Sequence, residues 1–191
     1  MDLIKLLTNR WRLVMLLALM AWPLNWTNSG LFAQATSDDQ IKAAYLFNFA
    51  KLVEWPASAH SSSDSPLTFC LLGRSRVADE LESSVGDNKI GGRPLRIRNL
   101  QNGDELGGCH MLFIAGSASR QQDRVIQQAK GKPLLLVGET PGFTNLGGTI
   151  GFLQEGGRVG FEVNLAASEQ AGLKISARLL SIARSVSHKG I

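Results

Sequence analysis

The chain has 191 residues, of which 20 are Lys or Arg and 16 are Asp or Glu, for a formal charge of +4. Residues 1–35 hold three of the basic residues and one of the acidic ones, so residues 36–191 carry 17 and 15, a net of +2. That balance demands neither nucleic acid nor an anionic membrane as partner. The 156 residues after Ala35 are one domain's worth of chain, enough for a real core.

The chain opens on a basic flank, Lys5, Arg10 and Arg12, followed by an apolar run from Leu13 to Trp22. The run is too short to cross a bilayer comfortably. Polar residues follow, and Ala33-Gln34-Ala35 fits the small-x-small cleavage pattern, so residues 1–35 read as a secretory signal peptide. A retained anchor is the competing reading, disfavoured by the shortness of the run and the site after it. There is no cysteine near the cut for a lipid and no twin arginine before the run.

Ile41 to Pro56 predicts the first helix of the domain. Ile41, Ala44, Tyr45, Asn48, Leu52 and Trp55 recur at helical spacing, and Leu46, Phe49, Ala50 and Val53 widen the apolar side. A stripe that broad belongs against a sheet. Asp38 or Asp39 is expected to cap the first turn, and Pro56 to end the helix. Trp55 has two readings, a core side chain under the helix or a partly exposed contact for a partner or ligand.

The serine-rich stretch from Ala57 to Ser65 reads as a loop. Pro66 to Leu72 is nearly all apolar and suits a strand buried on both faces. Ser75 is placed to cap a helix with Ala78, Leu81, Glu82 and Val85 inward, stopped at Gly86. Pro94 to Leu100 alternates apolar and basic residues as a half-exposed or edge strand does. Arg93, Arg96 and Arg98 could form a small basic patch, and the solvated face of a strand explains Arg96 and Arg98 equally well.

His110 to Ala115 predicts another buried strand. A helix from Ser117 or Ser119 through Ala129 follows, with Val125, Ile126 and Ala129 inward, and then the strand Pro133 to Val137. Strand and helix alternating at this spacing mark parallel βαβ units. Thr149 to Leu153 and Arg158 to Val163, separated by Gln154-Glu155-Gly156-Gly157, predict an antiparallel pair. Lys174 to Val186 reads as a helix lined by Ile175, Leu179, Ile182 and Val186, ending in a frayed His188-Lys189-Gly190. The fold class expected is α/β, three layers, with a largely parallel sheet flanked by helices.

Chemistry is sparse in this sequence. The three histidines, His60, His110 and His188, are isolated, with no metal-binding spacing around them. No nucleophile motif and no phosphate-binding loop is present. Catalytic residues, metal ligands and cofactor are therefore all assigned as none. Cys70 and Cys109 are not a CxxC redox pair, and an even count in an exported chain suggests one disulfide, with two buried thiols as the alternative.

Taken together, the mature sequence resembles the YfiR family of exported bacterial proteins. The resemblance begins with Ile41-Lys42-Ala43-Ala44-Tyr45-Leu46-Phe47-Asn48-Phe49 and Val53-Glu54-Trp55-Pro56, and resumes at Leu67 to Gly73. It continues through Cys109 to Ile114 and Pro133 to Val137. It ends with Val159 to Asn164, Gly172 to Ser176 and Leu179-Leu180. What it implies is a periplasmic α/β domain, residues 36–191, without catalytic activity. Relatives bind the periplasmic sensor part of an inner-membrane diguanylate cyclase and repress it, which lowers cyclic di-GMP, exopolysaccharide and biofilm formation. Homodimers are known in the family, as is a disulfide at the positions matching Cys70 and Cys109. A second family disulfide has no counterpart here. The alternative function is a periplasmic small-ligand binding protein, with Trp55 near the pocket.

Overall fold

The computed structural model describes residues 37–86 and 88–188. The expected signal peptide with its cleavage site at Ala35, and Lys189-Gly190 of the expected tail, lie outside the described residues.

The first helix, α1 (Asp38–Leu52), starts one residue earlier than either aspartate could cap it. Ser37 is the N-cap: its hydroxyl accepts from the Gln40 N–H, while the Gln40 side chain accepts from the Ser37 N–H. This reciprocal box satisfies two otherwise unpaired donors. Asp38 and Asp39 instead sit in the first turn, where the helix dipole favours negative charge. The buried face of α1 is Ala43, Leu46, Phe49 and Ala50. Ala44 and Asn48, counted with the apolar stripe in the sequence, are exposed.

Pro56 does not end the helix. Val53 is already extended, and Val53–Glu54 (β1) pairs antiparallel with Lys174–Ile175 (β9). The ladder captures the backbone before the proline can act, and the Ser176 N–H closes it on the Leu52 carbonyl at 2.9 Å.

The main sheet is formed by β2 (Leu67–Leu72), β3 (Lys89–Ile90), β4 (Arg93–Leu100), β5 (Met111–Ile114), β6 (Leu135–Gly138), β7 (Ile150–Glu155), β8 (Arg158–Asn164) and β10 (Ser185–Ser187). Their order is β10-β8-β7-β6-β5-β2-β4-β3. Neighbours are parallel except β7–β8 and β3–β4, so the sheet is mixed but mostly parallel, as expected, with the antiparallel β7–β8 pair where the sequence placed it.

Alternate side chains of the central strands feed two cores, because strand residues point to opposite faces in turn. Leu67, Phe69, Leu71, Met111, Phe113, Leu135 and Val137 face α1 and α2 (Arg76–Val85). Cys70, Leu72, Leu112, Ile114 and Leu136 face α3 (Gln122–Ala129) on the other side. Helices therefore cover both faces, completing three layers. Ser75 caps α2 as the sequence indicates, but Val77, not Glu82, completes its buried face. On the α3 side, Phe143 fits between Gly138 and Gly148. A Cβ at either glycine would fall within 2.5 Å or 2.1 Å of its ring, so only glycine admits the phenyl group there.

The C-terminal segment corrects the sequence reading. Lys174 to Val186 is not one helix but β9, the helix α5 (Ala177–Ile182) and β10. A short helix α4 (Leu165–Gln170) precedes them. Ser176 caps α5 through the Leu179 N–H, and the Arg184 N–H bonds to the Phe161 carbonyl as the chain joins β8. Of the residues expected to line the helix, only Leu179 is fully buried; Ile182 is 54% exposed and Val186 37%.

Candidate functional site

The parallel pairing of β2 with β5 sets Phe69 opposite Met111, so Thr68 lies beside His110 at the N-terminal end of both strands. The two residues clasp each other. The His110 N–H donates to the Thr68 carbonyl at 2.9 Å, and the Thr68 N–H donates to His110 Nδ1 at 3.0 Å. Cys109, one residue earlier, is bonded to Cys70 of β2, with Cα atoms 5.8 Å apart. The expected disulfide is thus present and buried, and it fixes the turn from which His110 projects.

Trp55 reaches the same place from β1. It is half-buried, and its Nε1–H donates to the His110 carbonyl at 2.9 Å. That carbonyl also accepts from the Leu135 N–H at 2.9 Å. Its indole N–H is thus tied to the sheet, and the ring packs against the core while also lining a pocket.

His60, from the serine-rich loop, places Nδ1 3.1 Å from His110 Nε2, with the ring planes 24° apart. Because the Thr68 N–H occupies the lone pair of His110 Nδ1, the His110 proton rests on Nε2 and is donated to His60 Nδ1. His60 then carries its own proton on Nε2. The chain of donors has one direction, Thr68 to His110 to His60. It also argues against a metal held between the rings, since His110 Nε2 has no lone pair to give in this tautomer. Among the described residues, no group of three or more His, Cys, Asp and Glu is placed to hold a metal ion.

Burial pushes His110 down to about 4, with the neighbouring His60 and Arg93 adding to the effect and the Ala59 carbonyl opposing it. Burial and Arg93 lower His60 in the same sense. Both rings are neutral at pH 7.

Arg93, at the start of β4, pins the loop: one guanidinium nitrogen donates to the Ser62 carbonyl, the Ser65 carbonyl and Ser65 Oγ at 2.9 to 3.1 Å. Arg93 does not join Arg96 and Arg98 in a patch. The side chains alternate along β4, Arg96 is exposed, and Arg98 turns to the Glu105 carbonyl and Cys109 Sγ.

Trp55, His60 and Arg93, with Lys51, line a pocket of about 190 Å³ whose apolar lining is Ala50, Val53, Leu67 and Ile90. His60, His110 and Arg93 were missed as site residues in the sequence. The adjacency of His110 to Cys109 was the one available signal, since a disulfide-anchored strand start holds its next side chain in place.

The class defined by these features is a three-layer α/β protein with a disulfide-braced polar cluster at the N-terminal ends of its central parallel strands. The chain belongs to the YfiR/HmsC-like family, whose model matches residues 39–184. No curated protein matches the chain.

Proposed function

We propose that this protein is an exported, non-enzymatic regulator. After removal of residues 1–35, residues 36–191 act in the periplasm by binding the sensor region of an inner-membrane diguanylate cyclase and repressing it, with lower cyclic di-GMP, exopolysaccharide and biofilm output as the result. The observation that carries this reading is family membership over residues 39–184. Trp55 supports it: a half-buried tryptophan held by a hydrogen bond from its indole N–H presents apolar area already fixed in position, the character of an interface hot spot. Self-association as a homodimer is part of the same proposal.

The test is Trp55→Ala in the full chain, with binding to the membrane partner and cyclic di-GMP measured together. A contact role predicts binding weakened by about 2 kcal/mol and a rise in cyclic di-GMP. Deletion of the gene with no change in cyclic di-GMP, attachment or polysaccharide would remove the regulatory reading altogether. The pocket beside Trp55 favours a second reading, a periplasmic small-ligand binding protein.

A further inference from the structure

The pocket beside Trp55 has a one-sided chemistry. Its polar lining consists of Lys51, His60 and Arg93, and no acidic side chain lines it. One nitrogen of Arg93 is spent on the serine loop, and the rest of the guanidinium makes no hydrogen bond among the described residues. His60 gives its Nδ1 lone pair to His110 and so turns a donor, Nε2–H, outward. Lys51 holds its ammonium over the Phe47 ring at 4.3 Å, at the rim. Each of these groups donates, and two carry full positive charge. The rest of the lining is apolar: Ala50, Val53, Leu67, Ile90 and the Trp55 indole, with Gly91.

We propose that this pocket binds a small organic carboxylate with a compact apolar body, such as a single aromatic ring. Arg93 and His60 take the carboxylate, Lys51 adds charge at the mouth, and the ring lies against Trp55, Val53, Leu67 and Ile90. An arginine fork suits a carboxylate because two parallel N–H groups match its two oxygens. The size is right as well: the pocket measures about 190 Å³, and an apolar cavity of about 150 Å³ takes up benzene. A free amino acid is a poor match, since its ammonium group would meet donors and no acceptor carboxylate.

This inference rests on the ligand-binding reading and adds charge and shape to it. The experiment separates the two. The full chain is expressed with export, recovered from the periplasmic extract and titrated calorimetrically with phenylacetate, phenylacetamide and phenethylamine. Trp55 is the sole tryptophan after residue 35, so its fluorescence reports the same event. The expected order is phenylacetate first, with phenylacetamide at least about tenfold weaker and phenethylamine weaker still. Arg93→Gln is expected to remove the preference for phenylacetate while leaving the amide's affinity unchanged. Should Arg93→Gln loosen the serine loop, Lys51→Gln, on an exposed rim position, is expected to lower phenylacetate affinity alone by a few-fold. Equal binding of acid and amide overturns the carboxylate assignment while the ligand reading stands. A preference for the amine overturns it too. No binding of any of the three up to about 10 mM overturns this proposal, aromatic body and carboxylate alike.

Discussion

The two ends of strand β2 offer openings of opposite character. At the C-terminal end, where the chain leaves β2 toward α2 and β5 toward α3, lies a groove of about 800 Å³ between Gly73–Ser75 and Ser117–Gln121. This is the place where connections to the two faces diverge, and open α/β sheets commonly bind ligands there. Its charged lining, however, is of both signs, with Arg74, Asp79 and Glu82 all in it. Ser117 Oγ donates to the Arg74 carbonyl and the Asn99 side-chain N–H to Glu82. Gln121 Oε1 alone among the groove's lining is buried without a partner. At the N-terminal end the pocket is a quarter of the size, yet its charged lining, Lys51 and Arg93, is of one sign. The lesson is that a lining of one charge sign marks a site better than volume does, and that position in the fold is a prior which local chemistry can override.

The largest expected effect comes from cutting the brace at the pocket end. Replacing Cys70 and Cys109 together by alanine opens a link between residues 39 apart in sequence. The chain-entropy argument puts the loss near 4 kcal/mol, read as a lower urea midpoint. The damage should be lopsided. The Thr68 amide, bonded to His110 Nδ1, is expected to exchange with solvent much faster, and the Gly116 amide, bonded to Glu139 at the far end, to change little. Equal acceleration at both amides would show that the two ends do not differ in what holds them.

Acid attacks the same end by another route. An unfolded chain protonates His110 near its ordinary value of 6.5, whereas the folded protein resists until about 4. Between those values the unfolded state binds more protons, so stability falls as the pH is lowered through the window and levels off beneath it. His60 is shifted in the same direction and contributes in the same sense. The physical event is a proton arriving at Nδ1, which turns that atom from acceptor to donor and expels the Thr68 N–H, while Nε2–H still donates to His60 Nδ1. Melting temperatures from pH 7 to pH 4 are expected to fall, and His110→Gln to flatten that part of the profile. A slope identical in the variant would place the acid sensitivity elsewhere.

Much of this architecture is legible in the sequence, for local reasons. The apolar runs at β2, β5 and β6 are unbroken because those strands are buried on both faces, and Gly156-Gly157 marks the β7–β8 turn. What is not legible depends on distant partners. Strands β1 and β9 are two residues each, too short for a period, and exist because Val53 meets Ile175. Ile175, Leu179, Ile182 and Val186 have helical spacing, but pairing at both ends, with β1 and with β8, leaves only six residues for the helix. The site fails to show for the same reason. Trp55 stands out by residue type, but His60 and His110 are 50 residues apart and meet through the β2–β5 register. Arg93 looked like one of three strand arginines until the alternation of β4 separated it from the other two.

Trp55→Phe tests the smallest difference, the one between the edge and the face of a single side chain. Phenylalanine keeps an aromatic wall for the pocket and removes the Nε1–H that reaches the His110 carbonyl. That carbonyl still accepts from the Leu135 N–H, so it is not left unpaired, and the full penalty for an orphaned buried acceptor does not apply. The expected cost is one ordinary hydrogen bond, about 1 kcal/mol, or a melting temperature lower by about 2–4 °C. Phenylacetate affinity is expected to stay within about threefold of the parent, because the wall remains and the donors are untouched. A stability loss well beyond that of one hydrogen bond would instead mark Trp55 as a core side chain whose full indole the packing requires. In that case the exposed part of the side chain would have no energetic independence from the fold, and neither a partner nor a ligand could use it without disturbing the sheet beneath.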